Sequence, residues 1–306
     1  MSALTTTPPV DVQPPAPQEK KPQSVQKIRR HSRPGVGRVS THVILIFGVI
    51  VFAFPFYWLV VMATSSTSDM FSFPPRLIPG DQFFANFAKV LEGSDFWHSF
   101  FNSVWLTIVV SGTQLFLAAL AGYVFAKRKF PGRNRLFAAL LITLVLPTGV
   151  SLVPNYEIYS QLGWLNTFWP LIIPTAVTAF GVFWMRQSAS AAIPDEVIDA
   201  AGIDGAGFFR TFWSIGLPSM RPALVGLGIF QVMWTWNDYL WPLLVLGDPS
   251  QFTLPIAIQQ LNGNYGSVDY SVVMAGTLVA TIPLIALFLF LRRTILENVA
   301  GGAVKG

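Results

Sequence analysis

The chain contains no cysteine, so it can form neither a disulfide nor a thiolate metal site. Charge is scarce. Only 11% of its 306 residues are Asp, Glu, Lys or Arg, against roughly a quarter in an average soluble domain. With 52% hydrophobic residues and a mean hydropathy of +0.52, that shortage points to a polytopic membrane protein. There is no G-x-x-x-x-G-K-[ST] loop, and no lysine is followed by Ser or Thr. The chain cannot cradle ATP by that route, so any ATP would have to be handled by a partner. The three histidines, His31, His42 and His98, have no second ligand at metal spacing, and there is no G-x-S-x-G elbow. The expectation is a chain with no cofactor, no metal and no catalytic residues.

The basic balance is confined to one end. Residues 1–40 hold seven Lys/Arg and two Asp/Glu, which accounts for the whole net charge of +5. The excess therefore does not describe a nucleic-acid surface. Residues 1–38 are rich in Pro, Gln, Ser and Thr and read as a disordered basic tail. The stretch is too long and polar to be an ordinary cleaved signal peptide. Lys27, Arg29, Arg30, Arg33 and Arg38 precede the first apolar run. They suit topology control and attraction to anionic lipid, at about 1 kcal/mol per basic residue; a dedicated binding role is the alternative.

Six runs have the length a bilayer crossing needs: Val43–Ala63, Ser103–Ala126, Leu136–Tyr156, Thr167–Met185, Pro222–Leu246 and Tyr270–Leu291. The fold class expected is all-α, with six transmembrane helices and no β-barrel pattern. The distribution of Lys and Arg orients them. With the N-terminus inside, eighteen of the twenty basic residues fall on the inner side, and only Arg76 and Lys89 fall outside. Both termini are then cytoplasmic, in a multi-pass cell-membrane protein. The expected parts are the tail 1–38, a first helix with its outer loop at 39–97, a core of five helices at 98–293, and a C-terminal tail at 294–306. Phenylalanines and prolines in residues 64–102 suggest short amphipathic pieces at the outer surface.

Residues 187–221 form a long cytoplasmic loop in this topology. Pro194 suits a first helical position, and Asp195 and Glu196 suit the positive end of a helix dipole. Asp204 suits the N-cap of a second helix, whose Phe208, Phe209, Phe212 and Trp213 would make one aromatic face. Such an apolar loop lies on the lipid interface or is covered by a partner. Its residues Asp199-Ala200-Ala201, Gly205 and Ile215-Gly216-Leu217-Pro218 resemble the EAA loop of ABC-importer permeases. Asp199 stands where that family usually has Glu, keeping the charge with a shorter reach.

On the fifth run, Trp234, Asn237, Asp238 and Trp241 fall at i, i+3, i+4 and i+7, on one helical face. Indole faces suit sugar rings, and amide and carboxylate groups suit hydroxyls. The same residues also suit an aromatic belt at the outer interface, so a pathway role and a belt role both stand. Trp236-Asn237-Asp238-Tyr239-Leu240-Trp241-Pro242-Leu243, Thr253-Leu254-Pro255 and the terminal Gly301-Gly302-Ala303-Val304-Lys305-Gly306 are similar to the carbohydrate-uptake subfamily, MalG-like permeases in particular.

The resemblance covers roughly residues 40–306 and implies the type I importer permease fold. It implies a second permease subunit, an ATP-binding cassette ATPase dimer and an extracytoplasmic sugar-binding protein as partners. It further implies ATPase docking by Asp199, Ala200, Ala201, Gly205, Phe209, Ile215, Leu217 and Pro218, and ATPase contact by Gly302, Val304 and Lys305. It also suggests that the turn-rich outer loop Gly247–Asp269 faces the binding protein. A membrane scaffold or signalling protein recruiting a cytosolic partner through the same loop is the alternative.

Overall fold

The computed structural model describes residues 36–262 and 268–303. Those described residues are helical, with no strand. The expected tail lies outside them up to residue 35, while residues 36–38 already belong to the first helix. The α-helices in chain order are α1 (Val36–Ala63), α2 (Thr67–Met70), α3 (Phe83–Gly93), α4 (Phe96–Lys127) and α5 (Arg133–Ile142). Next come α6 (Leu152–Gln161), α7 (Trp169–Ile172), α8 (Ala179–Ala192), α9 (Asp195–Ile203) and α10 (Phe208–Thr211). The last are α11 (Leu217–Ser219), α12 (Arg221–Asn237), α13 (Leu240–Val245), α14 (Leu254–Gln260) and α15 (Tyr270–Ala303).

Three helical stretches are long and apolar enough to cross a bilayer: Val39–Ala63, Phe96–Lys127 and Tyr270–Arg292. A fourth is possible if Phe208–Ser219 and Arg221–Asn237, bent by 75°, count as one span. The expected third, fourth and fifth runs are therefore not single helices, and prolines account for the breaks. A proline ring crowds the carbonyl four residues back and offers no N–H to it. The third run leaves helix at Thr143, four residues before Pro147. The fourth is interrupted between α7 and α8 around Pro174. The fifth breaks at Asp238, which is extended at ψ 121° and lies four residues before Pro242. Pro55 and Pro283 sit inside α1 and α15 without breaking them.

The chain divides into two compact units, residues 1–52 and 53–306. In the first, the side chains of residues 39–52 are nearly all exposed, Phe52 at 81%. A charge-free apolar helix with no buried face is suited to lipid. In the second unit, α4 threads all three apolar clusters. Phe96 enters one with Val90, Trp236 and Val272. Leu106 and Val110 enter another with Leu171, Val245 and Ile256. Ala118, Ala119 and Tyr123 enter the third with Met185, Phe212 and Met220. Ser99, Ser103, Thr107, Ser111 and Gln114 are also buried on α4. Their spacing of three and four residues puts them on one face, continued by Ala118 and Gly122.

The expected outer pieces are present as α2 and α3. Asn86 on α3 is buried and donates to the Ala63 and Ser65 carbonyls at 3.0 and 2.9 Å, closing the end of α1. Asp269, just before α15, accepts from Thr67, Ser271 and Lys89, the last at 3.1 Å. Burial works to raise the Asp269 carboxyl, but the bonds from Ser271, Thr67 and Lys89 outweigh it and hold it at about 2. A depressed folded-state value gives stability that is complete above pH about 4 and declines as pH falls towards 2.

Two helices approach closely at Gly122 of α4. A Cβ there would lie 2.6 Å from Met185 Cβ and 2.7 Å from the Arg186 nitrogen. Small residues permit this kind of close crossing in membrane helices. Gly122→Val is expected to cost about 1–3 kcal/mol by overpacking. It should lower the thermal midpoint and membrane abundance of the protein. Gly112→Ala on the same helix, where a Cβ meets nothing within 4 Å, should change neither.

Candidate functional site

The loop after α8 is built outward from the end of α4. Tyr123 is fully buried, with Phe208 at 5.8 Å and Phe212 at 5.5 Å between ring centroids. Met185, Ala189 and Ile193 of the α8 end complete that pocket. Arg128 lies 5.1 Å from the Phe208 ring centroid, in cation–π geometry. Lys127 at the end of α4 donates to Asp195 at the start of α9, at 2.7 Å. The Lys127 side chain is only 6% exposed, whereas Asp195 is 77% exposed. The bond from Lys127 and its charge hold the Asp195 carboxyl below the usual carboxylate range.

Pro194 is the N-cap of α9, one residue before the helical position expected, and Asp195 and Glu196 occupy the first turn. Asp204 is not the N-cap of the second helix. It ends α9, and Gly207 is the N-cap of α10. The reason is Gly205, which turns the chain at φ +76°. Its N–H bonds the Gly202 carbonyl, and the Ala206 N–H bonds the Ala201 carbonyl at 2.8 Å. This pair of bonds is the Schellman closure of a helix C-terminus, with glycine at the left-handed position.

The four aromatic residues do not share one face. Phe208 and Phe212 turn inward to Tyr123, while Phe209 and Trp213 are 67% and 53% exposed. Phe212–Gly216 winds as a π-turn, with the Leu217 N–H reaching back to the Phe212 carbonyl. Pro218 has no N–H for the Ser214 carbonyl and crowds it, which favours a widened turn. The turn brings Gly216 under the Tyr123 ring, where a Cβ would come within 3.0 Å.

The candidate docking residues therefore divide. Asp199, Ala200, Gly205, Phe209 and Pro218 are exposed, and Ala201 is half-buried. No residue of α9 is buried, and Ile203 is 88% exposed. Ile215 and Leu217 instead pack against the cluster around Tyr123. Sequence reasoning did not single out Tyr123 or the Lys127–Asp195 pair. The run of small and polar residues along α4 was the available signal for an interior face. Of the C-terminal candidates, Gly302 lies in the last turn of α15, while Val304 and Lys305 lie outside the described residues.

The break at Asp238 also divides the fifth-run set. Trp234, Asp238 and Trp241 line one narrow cleft together with Gln231, Thr235 and Thr175. Asn237 lines a separate cavity of about 300 Å³ with Trp236, Tyr239, Gln259 and Thr281. The Trp241 indole donates to the Pro170 carbonyl at 3.1 Å and Gln231 donates to Thr235 at 3.3 Å. Gln231, Thr235 and Thr175 were not expected from the sequence. No cluster of His, Asp and Glu able to hold a metal ion occurs among the described residues. Gly263–Gly266 of the turn-rich loop lie outside them.

A family model described as "Binding-protein-dependent transport system inner membrane component" matches residues 35–299. The arabinooligosaccharides transport system permease protein AraQ of Halalkalibacterium halodurans is 36% identical over 234 residues, 76% of this chain and 82% of that protein. The lactose transport system permease protein LacG of Rhizobium radiobacter is 33% identical, covering 81% and 89%. The sn-glycerol-3-phosphate transport system permease protein UgpE of Yersinia enterocolitica is 31% identical, covering 83% and 93%. A solved bacterial ABC transporter involved in alginate import superposes with a TM-score of 0.73 at 23% identity, over 84% of this chain and 95% of that one. That likeness supports the fold. The chain belongs to the binding-protein-dependent transport inner-membrane component family and is a transport subunit, not an enzyme.

The two exposure classes in the loop separate folding from docking. Phe212→Ala should cost about 3–5 kcal/mol by leaving a cavity against Tyr123, seen as a lower unfolding midpoint. Phe209→Ala removes an exposed ring and should leave that midpoint within a degree or two of wild type, roughly the ±0.5 kcal/mol of an ordinary surface change.

Proposed function

We propose that this chain is one of two permease subunits of an ABC importer for sugars or sugar-like solutes, and that it couples to a separate ATPase dimer through α9 and the turn at Gly205. The relatives named for arabinooligosaccharides, lactose and sn-glycerol-3-phosphate motivate the substrate class. With only Arg76 and Lys89 on the expected outer side, a neutral sugar fits better than a phosphorylated solute. The second permease subunit makes a heterodimer, and an extracytoplasmic binding protein delivers the solute. ATP and Mg²⁺ are bound by the ATPase. The chain crosses the cell membrane six times, with α5–α6, α7–α8 and α12–α13 as broken crossings and both termini cytoplasmic.

The observation that carries the coupling role is the contrast within the loop. One half is clamped to α4 through Tyr123, Phe208, Phe212 and the Lys127–Asp195 pair. The other half presents Asp199, Ala200, Gly205, Phe209 and Ile203 to the outside. A surface of this kind takes up force from a partner, and the clamp passes it to α4. Closure of the ATPase dimer on ATP would then rock α4 and the helices packed on it, opening the solute path outward. Hydrolysis would reverse the motion. This chain supplies transmission and half the path and breaks no bond. A scaffold that recruits a cytosolic protein would use the same surface but needs no polar cleft. The cleft holding Asp238, Gln231, Thr175, Trp234 and Trp241 therefore favours transport.

The test is solute uptake and ATPase activity in vesicles carrying the full assembly. Gly205→Asp keeps a residue type that tolerates φ above zero, and a Cβ there meets nothing within the chain. It should leave membrane abundance unchanged and reduce both uptake and binding-protein-stimulated ATPase at least tenfold. Wild-type uptake in that variant would remove the docking role. In the same assay Asp238→Asn should keep abundance and lose uptake. Unchanged uptake there would assign Trp234 and Trp241 to an interfacial belt.

A further inference from the structure

The turn between α4 and α5 borders an open surface pocket of about 550 Å³ lined by Lys129, Phe130, Gly132, Arg133, Asn134 and Arg135. It is the most cationic stretch among the described residues. Lys127, Arg128, Lys129, Arg133 and Arg135 fall within nine positions that contain no acid. Among the described ion pairs these five cations take a single carboxylate, Asp195, which bonds Lys127. Arg128 is spent on the Phe208 ring, and one Arg133 N–H group bonds the Arg128 carbonyl at 3.2 Å. Lys129 and Arg135 are exposed at the rim. Among the described residues the pocket thus keeps an excess of positive charge, with Asp195 as the one carboxylate in an ion pair with these five cations.

Its position says what neutralises it. The apolar run of α4 ends at Ala126, and the next apolar run begins at Leu136. The cations sit between them, at the level where hydrocarbon gives way to headgroups. Phe130 is half-buried, its ring tilted against that of Phe125 at 5.9 Å between centroids, so one wall of the pocket is apolar. A phosphate ester flanked by acyl chains matches both the charge and that wall. Basic recesses between transmembrane helices are a recognised setting for anionic headgroups, and Arg suits phosphate through its planar fork of donors.

We propose that this pocket binds the phosphate of an anionic phospholipid. The bound lipid would sit beside Lys127 and Arg128, the two residues that hold α9 and α10 to the end of α4. Membrane charge would thereby bear on the same clamp that supports the exposed loop surface.

The test is native mass spectrometry of the detergent-purified full chain with phosphatidylglycerol, phosphatidylcholine or inorganic phosphate added. Phosphatidylglycerol should be retained in preference to phosphatidylcholine. The combined variant Lys129→Gln, Arg133→Gln and Arg135→Gln should weaken that retention roughly a hundredfold, as expected for removing three charges near a lipid phosphate. The charge-keeping variant Lys129→Arg, Arg133→Lys and Arg135→Lys controls for folding and should retain the preference. Equal retention of the two lipids would overturn the proposal, as would retention unchanged in the Gln variant. Displacement by inorganic phosphate without lipid preference would assign the pocket to a free anion instead. Loss of a co-purifying cytosolic protein, with lipid retention intact, would assign it to a protein partner.

Discussion

Everything on the loop side of the molecule depends on how closely α4 and α8 approach at Gly122. The Met185 and Arg186 backbone lies where a side chain on residue 122 would be, so the two helices meet almost backbone to backbone. Gly181, whose Cβ position is 3.1 Å from the Ala118 methyl, repeats the contact one turn further along α4. This proximity puts Tyr123, the next residue of α4, directly over the end of α8. Tyr123 then becomes the floor on which Phe208, Phe212 and Gly216 are laid. A larger residue at 122 would push α8 outward, and the floor and its aromatic cover could no longer meet.

The second constraint is the bilayer itself. Backbone groups deep in lipid have no water to bond, so a broken helix is tolerated only where protein surrounds the break. The chain breaks three of its six apolar runs, all in the second unit. The break after α7 is followed by Thr178, whose hydroxyl accepts the Gly181 N–H and receives the Gln114 amide. Ser103 accepts the Leu254 N–H at 2.7 Å where α14 begins. Trp241 and Trp184 reach the carbonyls of Pro170 and Ala223. The Pro170 carbonyl is freed by Pro174 four residues on, so the Trp241 indole satisfies a group that an interruption frees, and Ser103 does the same for the first N–H of α14. This explains why α4, the helix at the centre of the packing, is the one with a buried polar face. The hydroxyls of Thr107 and Ser111 lie buried on that face with no hydrogen-bond partner among the described residues, which marks it as interior and unsuited to lipid.

The sequence conveyed the class of fold because that class is set by composition and by runs of twenty residues, and both survive local irregularity. Gly205 of the loop turns the chain at positive φ. The sequence did not convey the helix breaks. Hydropathy averages over a proline, and Pro55 and Pro283 are tolerated where Pro147, Pro174 and Pro242 are not. What decides is the neighbourhood available to satisfy the freed carbonyl, which is a tertiary property. The aromatic face failed for a related reason. A period of 3.6 residues puts Phe208, Phe209, Phe212 and Trp213 together, but their inward and outward division is set by Tyr123 and by the π-turn that Pro218 imposes. The set on the fifth run was divided too: Trp234, Asp238 and Trp241 share one cleft, while Asn237, the last residue of α12 before the break at Asp238, lines the separate cavity.

The two ends of the loop are held by interactions of different kind, and the difference matters for how it can transmit force. At Phe212 the contact is apolar and fully buried, so it is insensitive to salt and has little freedom to move without opening a cavity. At Asp195 the contact is an ion pair with one partner nearly buried and the other in water. Losing the carboxylate would leave the Lys127 ammonium with little solvent and no counter-charge, so the pair is costly to break from the Lys127 side although Asp195 is exposed. A displacement applied to α9 therefore reaches α4 at two points, Lys127 and Tyr123, four residues apart and on one face of the same helix. Two attachments one helical turn apart resist rotation of the loop about either of them. The loop is thereby fixed to α4 at two points, while no residue of α9 is buried.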